Sequence, residues 1–159
     1  MVTVSGEEVE IPALCAADWL QVLMNPDLHP DDVFPGMLVE ADRAYVEDQL
    51  HSGELELLDS QQLAMEIISM AGGRPWWVTM RMIAVARVSW DALGGDMSKL
   101  DPEIRPLAAW LDHLFILLVR NIDDAKRNMF LMKLEIAPEG WGANPEELEM
   151  STDAFLAMG

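Results

Sequence analysis

Two glycine pairs, Gly72-Gly73 and Gly94-Gly95, bracket a stretch that is apolar on nearly every side. Trp76, Trp77, Val78, Met80, Met82, Ile83, Val85, Val88 and Trp90 leave no polar face on a helical wheel. Pro75 suits the first helical position, where its missing N–H costs nothing. The pattern predicts a helix over 75–93, closed by Gly94-Gly95. A helix apolar all round is a helix buried all round, so this segment is expected at the centre of a bundle.

The flanking elements follow from shorter signals. Val2, Val4, Val9 and Ile11 around Ser5-Gly6 predict a hairpin over 2–11, which must lean on something to be stable. A short helix is expected over 16–24, closed by Asn25-Pro26, followed by a proline-bent loop or single turn over 26–36. The next helix is expected over 37–50, with Leu38, Ala41, Tyr45, Val46 and Gln49 on one face and Ser52-Gly53 as its stop. Asp59 reads as the N-cap of a helix reaching Met70, with Leu63, Ile67 and Met70 on its apolar face and Ala64 and Ile68 beside it. Asp101, with Pro102 at the first position and Glu103 in the first turn, reads as the start of another, striped by Ile104, Leu107, Ala108, Leu111, Leu114, Phe115 and Leu118. Pro106 falls within its first turns, where a proline can kink a helix. Asp123 opens a last helix that ends at Ala137-Pro138-Glu139-Gly140. The expectation is an all-α fold: a compact bundle of about five or six helices, preceded by a β-hairpin arm over 1–12. The helical domain occupies 13–138, and an acidic, partly disordered tail 139–159.

Charge is sorted along the chain. Residues 1–73 carry 15 acids and a single base, Arg43; residues 74–133 carry 9 bases and 7 acids; residues 134–159 carry 6 acids and no base. A net charge of −18 repels phosphates, whose binding depends on lysine and arginine. It points away from nucleic acid and toward solubility, or toward a partner with basic segments. The longest apolar run, 114–119, is too short to span a bilayer. The N-terminus lacks the basic start and apolar core of a signal peptide. One cysteine, Cys15, excludes an internal disulfide and suits a reducing compartment. A cytosolic location without membrane attachment is expected.

No constellation for catalysis stands out. His29, His51 and His113 are not spaced as metal ligands with each other or with Cys15. The acidic stretch from Asp27 lacks the sixth-position glycine of a calcium loop and has Leu38 where the twelfth-position glutamate belongs. There is no nucleophile elbow and no phosphate-binding glycine motif. The adjacent carboxylates, such as Glu7-Glu8 and Asp123-Asp124, sit in polar surroundings and read as solvated surface. A non-enzymatic protein without cofactor or metal is expected.

Two sets of residues suit binding. The chain has 12 methionines, whose flexible thioethers either fill a core or line adaptable grooves. The bases Arg74, Arg81, Arg87 and Arg105 either bond to acids of the first 73 residues or meet a partner. The candidate partner-binding residues are Trp76, Trp77, Met80, Ile83 and Arg74, on a face expected to be partly core and partly groove.

Five segments carry a family resemblance: Ile11-Pro12-Ala13 with Ala17-Asp18-Trp19-Leu20, Asp32-Val33-Phe34-Pro35-Gly36, Gly73-Arg74-Pro75-Trp76-Trp77, Ala108-Ala109-Trp110-Leu111-Asp112, and the acidic ending. Together they resemble the tail assembly chaperones of long-tailed phages (siphophages) of actinobacteria, over roughly residues 2–158. The resemblance implies a helical viral protein of the infected host's cytoplasm. Such a protein binds the tape measure protein, keeps it soluble, promotes polymerisation of the tail-tube protein around it, and is absent from the mature virion. It implies that this chain is the short form, beside a longer one made by ribosomal frameshifting whose extension recruits the tube protein. It supplies no catalytic residues. Self-association stays open. Two other readings stand beside it: an acidic helical decoy or regulator that sequesters a basic host protein, and a small structural virion protein such as a connector or minor tail protein.

Overall fold

The computed structural model describes residues 1–12, 14–25, 30–97, 100–120 and 122–138, with side chains throughout these except at 30, 31 and 92–97. It is an all-α fold with an N-terminal hairpin. The elements are β1 (Val2–Val4), β2 (Glu7–Val9), α1 (Ala16–Leu23), α2 (Pro30–Gly36), α3 (Glu40–Ser52), α4 (Leu57–Gly72), α5 (Trp76–Met97), α6 (Leu107–Val119) and α7 (Asp124–Glu135). Two compact units divide the chain, Met1–Asn121 and Ile122–Gly159. The tail expected over 139–159 lies outside the described residues.

The hairpin forms as its sequence dictates. Ser5 and Gly6 both take positive φ, the turn that matches strand twist, and Val2 pairs with Val9 and Val4 with Glu7. Val4 and Val9 are buried. The support is α3: Glu10 N donates to Asp42 Oδ2 at 2.6 Å, Tyr45 Oη donates to the Val4 carbonyl at 3.4 Å, and Val39 N, the cap of α3, donates to the Glu10 carbonyl at 3.4 Å. Of the apolar face expected on α3, only Val46 is fully buried within the helix. Leu38 belongs to the segment before it, because α3 starts at Glu40 rather than residue 37.

The segment expected as a loop contains a helix. Pro30 opens α2 and Pro35 lies within its last turn. Phe34 and Met37 at its end are buried. Two carbonyls at this end accept from Arg43, whose Nε donates to Pro35 O at 3.1 Å and whose Nη2 donates to Leu38 O at 3.5 Å. The single base of the first 73 residues therefore serves backbone carbonyls.

The turn before α6 also departs from expectation. Asp101 adopts positive φ, which aspartate tolerates better than most residues, and 102–105 form a turn. The helix starts at Leu107, with Pro106 as its extended N-cap. Proline disfavours helical backbone in the residue before it, so Pro106 sets the helix start instead of kinking it. The carbonyls of this turn cap α1: Ala16 N donates to Arg105 O at 2.7 Å and Ala17 N to Pro102 O at 2.8 Å. They satisfy helix N–H groups that have no partner within α1. The same end of α1 is closed by Asp18, whose carboxylate accepts from Cys15 N at 3.1 Å and from Cys15 Sγ at 3.0 Å.

Within the first unit α4 is the hub, packed against α2, α5 and α6. It begins two residues before Asp59, with Glu56 as N-cap. The helix buries Ser60, Ala64, Ile67, Ile68 and Gly72. Gly72 has a specific reason: a Cβ there would overlap Thr79 Oγ1 of α5 and stand 3.2 Å from Thr79 Cγ2. Gly73 then turns the chain in the left-handed region, φ +64°, as a helix C-terminus favours. The core is completed by Trp19, Leu20 and Leu23 of α1 and by Leu107, Trp110, Leu111 and Leu114 of α6. In the second unit Asp123 caps α7, its Oδ1 accepting from Lys126 N at 2.8 Å.

Two outcomes follow. Gly72→Ala is expected to destabilise the chain by about 1–3 kcal/mol through overpacking against the stiff, β-branched Thr79, read from the urea midpoint; an unchanged midpoint contradicts the close contact. The second concerns acid. The Cys15 thiol, and after it the Cys15 N–H, hold the Asp18 carboxyl below its ordinary value of 3.8. A depressed folded-state pKa adds stability that is complete above 3.8 and disappears as pH falls through the lowered value. Asp18→Asn is expected to flatten that part of the stability–pH curve, measured by thermal melts from pH 5 downward.

Candidate partner-binding cleft

The helix expected to be buried on all sides is buried on one. In α5 the buried positions are Thr79, Met82, Ile83 and Ala86, spaced as a single helical stripe. Val88 is 83% exposed and Trp90 40%. The helix also runs through Gly94-Gly95 to Met97, because glycine weakens a helix interior without terminating it. The all-apolar composition of α5 is thus divided between a core stripe and an accessible flank.

That flank forms one wall of an open cleft of about 350 Å³. Trp76 and Met80 of α5 face Gln61, Ala64, Met65 and Ile68 of α4. Leu23 of α1 and Val33 of α2 complete the lining. Gln61 is its single side chain with hydrogen-bonding oxygen and nitrogen atoms. A second hollow of about 240 Å³ adjoins it, between Met24 and Asn25 on one side and Ile83, Ala84 and Arg87 on the other. Leu23 and Met80 border both, so a flexible thioether stands between the two hollows. On α4, Leu57 and Leu58 lie one turn before Gln61 and are 43% and 73% exposed, extending the apolar wall.

The opposite side of α4 is acidic. A hollow of about 410 Å³ between the hairpin and α4 is bordered by Glu54, Asp59 and Glu66, with Gln62 donating to Glu66 Oε1 at 3.2 Å. No lysine or arginine lines it. Across α1, α2 and α4 the sequence has Asp18, Asp31, Asp32, Asp59 and Glu66 and no base. Among the described residues no group of three or more His, Cys, Asp or Glu is placed to hold a metal ion, and no helix is long and apolar enough to cross a membrane.

The five sequence candidates separate in this geometry. Trp76 and Met80 line the cleft, and Ile83 is a core residue whose edge borders the adjoining hollow. Trp77 is half-buried beside Trp76, edge to face at 5.9 Å, and does not line the cleft. Arg74 is structural: it pairs with Asp112 of α6, and its Nη1 donates to Met82 Sδ at 3.0 Å. Its partner is an acid of the central segment, not one of the first 73 residues. Arg105 lies against the His113 ring, 2.7 Å from Nε2. Sequence reasoning missed Leu23, Val33 and Gln61, which only the fold brings to α5; Ala64 and Ile68, beside the expected core stripe of α4, were the available signal. No family model, no curated protein and no solved structure matches the chain.

Arg74→Ala is expected to cost about 1 kcal/mol of stability, since its side chain is 20% exposed but Asp112 is 64% exposed and such pairs are screened. A double-mutant cycle with Asp112→Ala measures the coupling; coupling near zero contradicts the tether.

Proposed function

We propose that this chain is a non-enzymatic tail assembly chaperone, which binds and solubilises a tape measure protein in the host cytoplasm, promotes tail-tube assembly around it and leaves before the virion is complete. The observation that carries the reading is the open apolar cleft walled by Met65, Met80 and Trp76 on a chain of net charge −18. A tape measure protein is long and helical, with apolar faces that aggregate unless covered. A groove with flexible thioether walls accommodates varied apolar side chains, and high like charge keeps coated complexes apart in solution. Many copies bound along one partner combine modest individual contacts into avidity while leaving each one releasable. The resemblance in the segments around Trp19, Phe34, Trp76 and Trp110 supports the same reading.

Co-expression with the tape measure protein of the same phage tests it. The expected outcome is a long protein that is soluble only beside this chain and co-elutes with it on size exclusion. A tape measure protein that is soluble alone and never associates contradicts the proposal. Recovery of this chain in purified particles favours a structural virion protein instead, and capture of a basic DNA-binding host protein, lost at moderate salt, favours a decoy.

A further inference from the structure

We infer that the cleft between α4 and α5 takes a basic amphipathic helix: a partner segment with large aliphatic side chains at i, i+3, i+4 and i+7 and lysine or arginine on its other faces. The inference rests on the proposal that the chain covers a long helical partner, and it names the element recognised. The cleft gives the apolar part of the code. Met65, Ile68, Trp76 and Met80 present a mostly apolar surface, and Gln61 is the lining side chain with both a donor and an acceptor, so it selects a stripe rather than a polar sequence. Recognition of this kind is read through anchors one helical turn apart.

Charge decides among possible occupants. The apolar cleft and the acid-bordered hollow of Asp59 and Glu66 lie on opposite sides of the same helix, α4. A helix with its side chains is about 10 Å across, beyond the screening length of about 8 Å at physiological salt, so Asp59 and Glu66 act on the cleft chiefly at low salt. Three of the four helices that line the cleft, α1, α2 and α4, carry acids and no base, and their field attracts a cationic helix seated there and repels an anionic one, most strongly at low salt. Of the bases nearby, Arg74 is paired with an acid, Asp112; the carbonyls that Arg43 meets leave its charge uncompensated, and the net −18 of the chain outweighs it. A second copy of this chain, at −18, is disfavoured by the same field. Arg87 at the edge of the adjoining hollow gives the seated helix a direction, favouring its carbonyl end there.

Methyl NMR of the full chain, labelled with ¹³C at the methionine methyls, tests the inference. Met65 and Met80 signals are assigned with Met65→Leu and Met80→Leu. The probe is a synthetic helical peptide of about four turns with leucine at the anchor positions and lysine elsewhere. Two controls accompany it: glutamate in place of every lysine, and the same composition with the leucines spread around the helix. The lysine peptide is expected to shift Met65 and Met80, with affinity falling as salt rises, and neither control to do so. Gln61→Lys is expected to weaken binding about tenfold or more, and Gln61→Glu to strengthen it; thermal melts of both confirm the fold. Equal binding of the glutamate peptide, shifts that bypass Met65 and Met80, or indifference to both Gln61 substitutions overturns the inference. So does movement of these two signals with protein concentration alone, which identifies a second copy as the occupant. If co-expression rescues the tape measure protein but the lysine peptide leaves both signals still, the cleft inference falls and the chaperone proposal survives. If the peptide binds and the long protein is not rescued, the reverse holds.

Discussion

The close approach of Thr79 to Gly72 is the contact on which the central packing depends. Gly72 has no side chain where α4 ends, and Thr79 occupies that space at zero exposure. The geometry carries a cost: the Thr79 hydroxyl is buried with no hydrogen-bond partner among the described residues, and an unmet buried hydroxyl costs about 1–3 kcal/mol. The return is a tight α4–α5 corner. Gly73 turns the chain with an added Cβ only 3.4 Å from Ala108 Cβ, and Arg74 ties the corner to Asp112. Helix α6, anchored by the fully buried Trp110, packs against both α4 and α5.

This corner explains why an apolar helix is not an enclosed one. With α4 fixed at Gly72 and α6 alongside, α5 buries the stripe of Thr79, Met82, Ile83 and Ala86. Trp76 and Met80 sit to one side of that stripe, where α1 and α2 supply Leu23 and Val33 but do not fill the space. An apolar hollow that stays open to solvent is the natural candidate for a binding surface. The same helix that walls it presents Asp59 and Glu66 on its far side. Apolar shape and negative field are thereby built from one element, which suits the proposed role of holding an aggregation-prone partner and keeping the complex dissolved.

Local signals in the sequence were legible where they act alone. The Ser5-Gly6 turn, the helix at 16, the stop at Gly53 and the Asp123 cap needed no tertiary information. Those that depend on packing were not. Asp101-Pro102-Glu103 has the composition of a helix start, yet the carbonyls of Pro102 and Arg105 in this turn cap α1, and Pro106 delays the helix. The prolines at 30 and 35 suggested a loop, and Arg43 makes a helix end there workable. For the site, apolar periodicity in α5 identified Trp76, Met80 and Ile83 but could not say which flank stays open. Arg74, with no acid nearby in sequence, gave no sign of its bond to Asp112. The segments that carry the family resemblance hold core residues above all, Trp19, Leu20, Phe34, Trp110 and Leu111. Among the described residues of these segments, Val33 and Trp76 alone reach the cleft, so there the resemblance bears on fold more than on contacts.

Oxidative footprinting of the methionines, in the free chain and in the complex co-purified with a tape measure protein, tests the central claim most directly. Met65 and Met80 border the cleft, whereas Met70 on the same helix is 74% exposed and lies outside it. The account predicts that the complex protects Met65 and Met80 and leaves Met70 oxidising at its free rate. Protection of Met70 with Met65 and Met80 unchanged contradicts it and places the partner on another face.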